Sequence, residues 1–265
     1  MNSSEQIPEE LESEFSRTNE MIMGFIEWMH FCILDTARDV NFHDNHLLSF
    51  LNQDILETLM GVLVHVKQGI HTPAIRESRY LLELSIKLAY IQQKNYSMPI
   101  DEKLSTFNKI IKSTNISPMK DIDLKYLAKE TADDFLEYVG RLYGDSSRFV
   151  HVTPESIKYR RERIGKDRLL GKESKEDLKE LNDILQKMYS ASIVFISHSI
   201  PQYVVGNWHV DTSGELKNWY YMKSKYVAEI DSTLDYKHER KEILNRVQAE
   251  RAACVSHSSK HSQLE

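Results

Sequence analysis

The chain has 265 residues, of which 41% are hydrophobic, with 9 Gly and 6 Pro. That length suits one large domain or two small ones, and the scarcity of Gly and Pro excludes a many-stranded β architecture with its frequent turns. A formal charge of −6 excludes a chain attractive to polyphosphate over its whole surface, so any nucleic-acid contact must come from a local basic patch.

The first helix is expected from Pro8 to about Ala37, with Glu9, Glu10 and Glu12 complementing the dipole of its first turn. Ile22, Phe25, Ile26, Met29 and Ile33 recur at helical spacing along it. Arg38 to Asn45 reads as a polar connection, and a second helix spans about His46 to Gln68, ended by Gly69. Thr72-Pro73 reads as an N-cap and first helical residue, opening a Leu- and Ile-rich central helix to about Gln93. Asp101 caps a short helix to about Lys112, and Ser113 to Lys120 is a loop. A further helical region covers Ile122 to Val152, with a break near Lys129 to Thr131, and Pro154 stops it. Lys158 to Lys175 is rich in Lys and Arg and reads as an exposed connector or a short helix with a loop. Ser174 caps the next helix to about Ser199; Gly206 to Gly214 is a loop; a last helix starts near Glu215 and reaches toward Ala253. Its apolar face is Trp219, Met222, Tyr226, Ile230 and Leu234, and Lys237 to Arg251 is mostly charged.

This predicts an all-α fold, a helical bundle with long C-terminal helices. The expected divisions are an N-terminal bundle over 1–155, a basic connector over 156–173, C-terminal helices over 174–255 that pack on the core or form an interaction arm, and a polar tail over 256–265. Cys32 and Cys254 form no CxxC, and the acidic N-terminus has no secretory pattern, so a cytoplasmic location is expected. Met188 to Val210 holds no Asp, Glu, Lys or Arg, but its Ser, His, Gln and Asn residues make it too polar for a lipid-facing span. It reads as a buried helix ending near Pro201, with no membrane partner.

No P-loop, Gly-rich dinucleotide fingerprint, GxSxG or HExxH occurs, and no cofactor is expected. His43, Asp44 and His46 are too slight a set for a zinc site, so no metal is expected either. Two constellations carry the chemistry. Tyr143, Ser147 and His151 are spaced i, i+4, i+8 and share one helical stripe. This is either a helix end with its polar groups satisfied or a site that brings together a phenol, a hydroxyl and an imidazole. Arg79, Glu83 and Lys87, with Arg76 and Tyr90 nearby, stand on a central helix that is otherwise apolar nearly all round. Charges there must pair internally or face a cleft, because an unpaired buried charge is costly.

Together, RESRYLLELSIKLAYI (Arg76 to Ile91) and YGDSSRFVH (Tyr143 to His151) resemble a large family of uncharacterised bacterial helical proteins. Its members carry an Arg-x-x-x-Glu central helix and a later Tyr-x-x-Leu-Ser-x-x-x-His helix end. That family is similar in layout to the HEPN superfamily of helical ribonucleases and toxins of toxin–antitoxin and antiphage systems. The resemblance covers about Leu47 to Pro154, with Arg79 and Glu83 at the central-helix positions and Tyr143, Ser147 and His151 at the helix end. Ser146 stands where the family has Leu. The HEPN signature of Arg, four to six residues, then His is absent from the later helix; Arg38 and His43 match its spacing, but in the connection after the first helix.

The resemblance implies a HEPN-like core, a homo-oligomer or an operon-encoded partner protein, and metal-independent cleavage of RNA. His151 would be the base, Arg79 the phosphate-holding cation, Glu83 an orienting carboxylate, and Tyr143 a hydrogen-bond donor, with Ser147 completing the set. Arg76, Lys158, Arg160, Arg161 and Arg163 would guide RNA toward it. The alternative reading is a non-enzymatic scaffold in which the two polar stripes lock the bundle and the C-terminal arm binds a partner.

Overall fold

The computed structural model describes residues 8–111, 116–165, 171, 174–211, 215–234 and 245–251. Lys166, Arg168 and Lys172 of the basic connector, Gly214, the start of the charged stretch at Lys237, and the tail from Ser256 lie outside them. The protein is an all-α helical bundle; the one extended pairing among the described residues is an isolated antiparallel bridge, Val210 with Leu216. None of the described helices is long and apolar enough to cross a membrane.

Three long helices carry the core. α1 (Glu9–Thr36), α4 (His71–Lys94) and α8 (Lys175–Ser197) bury the largest share of apolar side chains, and α8 packs against both of the others. α8 begins with a capping box in which the Ser174 hydroxyl accepts the Asp177 N–H at 3.2 Å and the Asp177 carboxylate accepts the Ser174 N–H at 3.3 Å. From Met188 onward every side chain of α8 is buried, which explains a stretch free of charge. α3 (Leu48–Lys67) packs on α1 and α4 through Ile55, Leu59, Val62 and Val66. Gly69 follows its C-cap Gln68 with a φ of 65° that suits glycine, and an added Cβ there would lie 3.0 Å from the Gly171 Cα. Between α1 and α3, Phe42 anchors a short α2 (Phe42–Asn45) where the sequence reads as an open connection.

α5 (Ile100–Ile111) and α6 (Lys129–Val150) flank α4. The expected helix over Ile122 to Ala128 does not form. A 3-10 turn, Ser117–Asp121, leads instead into a chain whose side chains at Ile122, Leu124 and Tyr126 are buried while those between them are exposed. Side chains from elsewhere take its backbone donors: the Asp123 N–H goes to Gln93 Oε1, the Tyr126 N–H to His198 Nε2, and the Ala128 N–H to Glu229 Oε1. Tertiary partners thus replace the carbonyls a helix would have supplied. Pro154, rather than only ending a helix, opens α7 (Pro154–Ile164) behind a Thr153/Ser156 capping box.

The C-terminal part also departs from expectation. α9 (Gln202–His209) occupies the first half of the expected loop because Val204, Val205 and Trp208 bury one face, and α9 packs on α1. The last helix does not start at Glu215. The Val210–Leu216 bridge holds that segment extended, and a 3-10 turn (Tyr220–Lys223) precedes α10 (Lys225–Thr233). Trp219, Ile230 and Leu234 are buried in the core, with the indole N–H of Trp219 donating to the Gly24 carbonyl at 2.9 Å and the Tyr221 hydroxyl to Met21 at 2.8 Å. The stripe read as a candidate arm is therefore core packing as far as Leu234.

Candidate functional site

α4 and α6 bring four of the five predicted site residues into one cluster. Their apolar stripes, with Leu81, Leu82 and Leu88 on α4 and Phe135, Val139 and Leu142 on α6, bury the two helices and set the polar stripes face to face. Arg79, only 5% exposed, donates from Nη1 to the Ser147 hydroxyl at 3.1 Å. Its guanidinium lies 3.8 Å from the centre of the Tyr143 ring, a close cation–π contact. Glu83 faces Arg79 Nε at 3.6 Å and Lys87 at 3.8 Å, and it accepts the Tyr143 hydroxyl at 2.7 Å. Burial, together with the neighbouring Glu83 carboxylate, holds the Tyr143 hydroxyl above the ordinary phenol range, against the opposing pull of Arg79. Tyr143 is therefore a donor here and not an anion.

Arg79 and Glu83 of the cluster line a hollow of about 330 Å3, together with Arg76, Tyr80 and Val150. Two guanidiniums face one carboxylate there, and that carboxylate is already shared with Lys87 and Tyr143. Arg76 is exposed and donates from Nε to the Phe149 carbonyl at 2.5 Å, tying α4 to the end of α6. His151 is separate from the cluster. It caps α6, its backbone N–H goes to the Ser147 carbonyl, and its side chain is exposed without a hydrogen bond among the described residues.

Of the predicted RNA-guiding residues on α7, Lys158, Arg160 and Arg161 are exposed. Arg163 has a packing post instead, donating to the Tyr159 hydroxyl at 3.0 Å and facing Asp177 of α8 at 3.6 Å. Arg148, which the spacing did not single out, lies 4.8 Å over the Phe149 ring and 5.0 Å over the Tyr159 ring, and its buried Nε has no hydrogen-bond partner among the described residues. Its position in the run SSRFVH was the available signal. Arg38 pairs with Asp35 at 2.8 Å, and His43 packs its ring against Phe42.

The opposite end of α4 holds a second polar group that no spacing pointed to. Lys103 of α5 is fully buried, and its ammonium donates to the carbonyls of Asn45 and Tyr96 and to Gln92 Oε1. None of these acceptors is charged, and burial pushes the lysine down to about 8. Beside it His46 is buried, taking the Leu48 N–H on Nδ1 and donating from Nε2 to the Ser199 carbonyl. His198 takes the Tyr126 N–H on Nε2 and donates from Nδ1 to the Val194 carbonyl. Burial, aided by Lys103 in one case and Lys125 in the other, pushes both imidazoles down to about 4. Both nitrogens of His46 are thereby occupied, which removes it from any metal set with His43 and Asp44. Among the described residues no group of three or more His, Cys, Asp or Glu side chains is placed to hold a metal ion.

Compared with known protein families, with curated proteins and with solved structures, the chain has no match. The class its own coordinates define is an all-α protein with a guanidinium-lined hollow on its central helix.

Proposed function

We propose that the chain binds RNA through the hollow on α4 and cleaves it without a metal ion, as an effector of a bacterial defence or toxin–antitoxin system. The observation that carries the reading is the hollow's charge balance, Arg76 and Arg79 against a single, already shared Glu83. A backbone phosphate is the partner such a fork suits. Arg76, the exposed one, would meet the phosphate, and Arg79 would supply a fixed positive charge beneath it. His151, at the helix end that bears Ser147, would take the proton of a ribose 2′-hydroxyl. The freed oxygen attacks phosphorus, the bond to the 5′-oxygen breaks, and water returns a proton to the leaving oxygen, giving a 2′,3′-cyclic phosphate and a 5′-hydroxyl end. The exposed Lys158, Arg160 and Arg161 extend the cationic surface beyond the hollow. A homo-oligomer or an operon-encoded partner belongs to the same proposal.

The test is incubation of the purified chain with total RNA, with and without chelator, beside His151→Ala. Cleavage that survives chelator and is lost in the variant is expected. No cleavage, equal cleavage by both proteins, or cleavage abolished by chelator would overturn the assignment. A second reading, a non-enzymatic scaffold, is favoured by the burial of Arg79 and its engagement with Ser147, Tyr143 and Glu83. On that reading the cluster only locks α4 to α6, and the same assay returns no cleavage.

A further inference from the structure

A cavity of about 730 Å3 opens at the far end of α4, a size typical of small-molecule pockets. Three segments wall it: the end of α4 with the turn after it, the extended chain around Asp123, and the turn between α8 and α9. These walls are fixed by side chains. The Gln93 amide group donates to the carbonyls of Asp123 at 2.9 Å and His198 at 3.0 Å, while its oxygen accepts the Asp123 N–H at 2.8 Å. Gln93 and His198 are thus occupied in holding the frame. What remains to meet a ligand is the rim: Lys125, Asp121, Asp123, the ring of Tyr96, and Lys94, whose ammonium lies 4.4 Å over the Tyr90 ring.

A further charge stands close to these groups, with no carboxylate on it among the described residues. Behind the wall lies the Lys103 ammonium, whose partners are all neutral oxygens, two of them on the lining residues Gln92 and Tyr96. The rim charges cancel in number, so Lys103 leaves the cavity with a positive excess that favours an anion. Lysines suit a phosphate as point charges, carboxylates accept from ribose hydroxyls, and phenol rings stack on a base.

We propose that this cavity binds a nucleoside monophosphate, with the phosphate toward Lys94 and Lys125, the ribose hydroxyls on Asp121 and Asp123, and the base beside Tyr96. The proposal does not rest on RNA binding at the hollow, because the two sites share no lining residue. The same chemistry could come from a free nucleotide or from the phosphorylated end of an RNA.

The experiment is calorimetric titration of the full chain with adenosine and uridine 5′-monophosphates, adenosine, and inorganic phosphate. Saturable binding of the nucleotides is expected, with adenosine and phosphate each weaker by at least about ten-fold, since each makes only part of the contact set. Asp123→Asn and Lys125→Gln, both at exposed side chains, should each weaken nucleotide binding by about ten-fold and leave the thermal midpoint of the free protein unchanged. A 5′-phosphorylated oligoribonucleotide that competes would identify an RNA end as the source, and one that does not would identify a free nucleotide. Absence of saturable nucleotide binding, or binding that neither substitution changes, would overturn the proposal.

Discussion

The two ends of α4 handle charge in opposite ways. Toward its N-terminus, Arg79 and Glu83 are both ionic, face each other across one helical turn, and stand at the wall of a hollow that also admits Arg76. Toward its C-terminus a buried ammonium is surrounded by neutral oxygens, and two imidazoles are held in their neutral form by burial. The difference lies in the partners. Charge facing charge can remain ionised close to solvent and stay available to a ligand. Groups that serve mainly to tie chain segments together are sealed away, and for the imidazoles ionisation would break the ties.

The largest effect of a single substitution is expected where charge faces charge. Arg79→Ala removes one partner of a largely buried pair and leaves Glu83 without its guanidinium, while Ser147 and the Tyr143 ring lose their contact. A loss of about 3 kcal/mol is expected, the magnitude typical of breaking a buried pair from one side. Urea denaturation of the variant measures it, and a loss below about 1 kcal/mol would mean that the cluster behaves like a surface pair.

The two buried imidazoles at the other end of α4 predict an acid dependence of similar size for each. His46 and His198 accept protons near 4 in the folded chain, against an ordinary 6.5. Between those values the unfolded chain binds more protons, so stability falls as pH drops from about 6.5 toward 4 and is restored as pH rises again. Fully expressed, the effect is about 3 kcal/mol for each imidazole. Urea midpoints measured from pH 7 to 4 should decline through that window, with a smaller decline in His198→Gln. Midpoints that stay level down to pH 4 would show the imidazoles to be less sealed than their contacts indicate.

The sequence showed one end of the helix far better than the other, and for a physical reason. Arg79, Glu83, Tyr143 and Ser147 were legible because each pair repeats at i, i+4 on its own helix, and two polar stripes on largely apolar helices must meet or face water. The caps at Thr153 and Ser174 were local in the same way, although only Ser174 was read as one. Lys103 gave no such sign. It sits in a short polar helix where a lysine ordinarily faces solvent, and its burial depends on carbonyls of Asn45 and Tyr96 supplied by other segments. Residues Ile122 to Ala128 failed as a helix for the same reason, since Gln93, His198 and Glu229, which capture their N–H groups, are distant in the chain. α9 was missed because Gly206 and Asn207 suggest a loop, whereas packing of Val204, Val205 and Trp208 decides the outcome.

The smallest expected change is also the most direct test of the claim that the open end takes a phosphate. Arg76→Gln removes an exposed guanidinium at the hollow and keeps an amide that can still donate to the Phe149 carbonyl. Fluorescence anisotropy of a short labelled single-stranded RNA, titrated over a series of salt concentrations, should show about ten-fold weaker binding and a salt slope lower by about one. Asp123→Asn in the cavity at the other end of α4 should leave the RNA affinity of an oligonucleotide with a 5′-hydroxyl end unchanged. Equal affinity and equal salt slope for the wild type and Arg76→Gln would contradict the account.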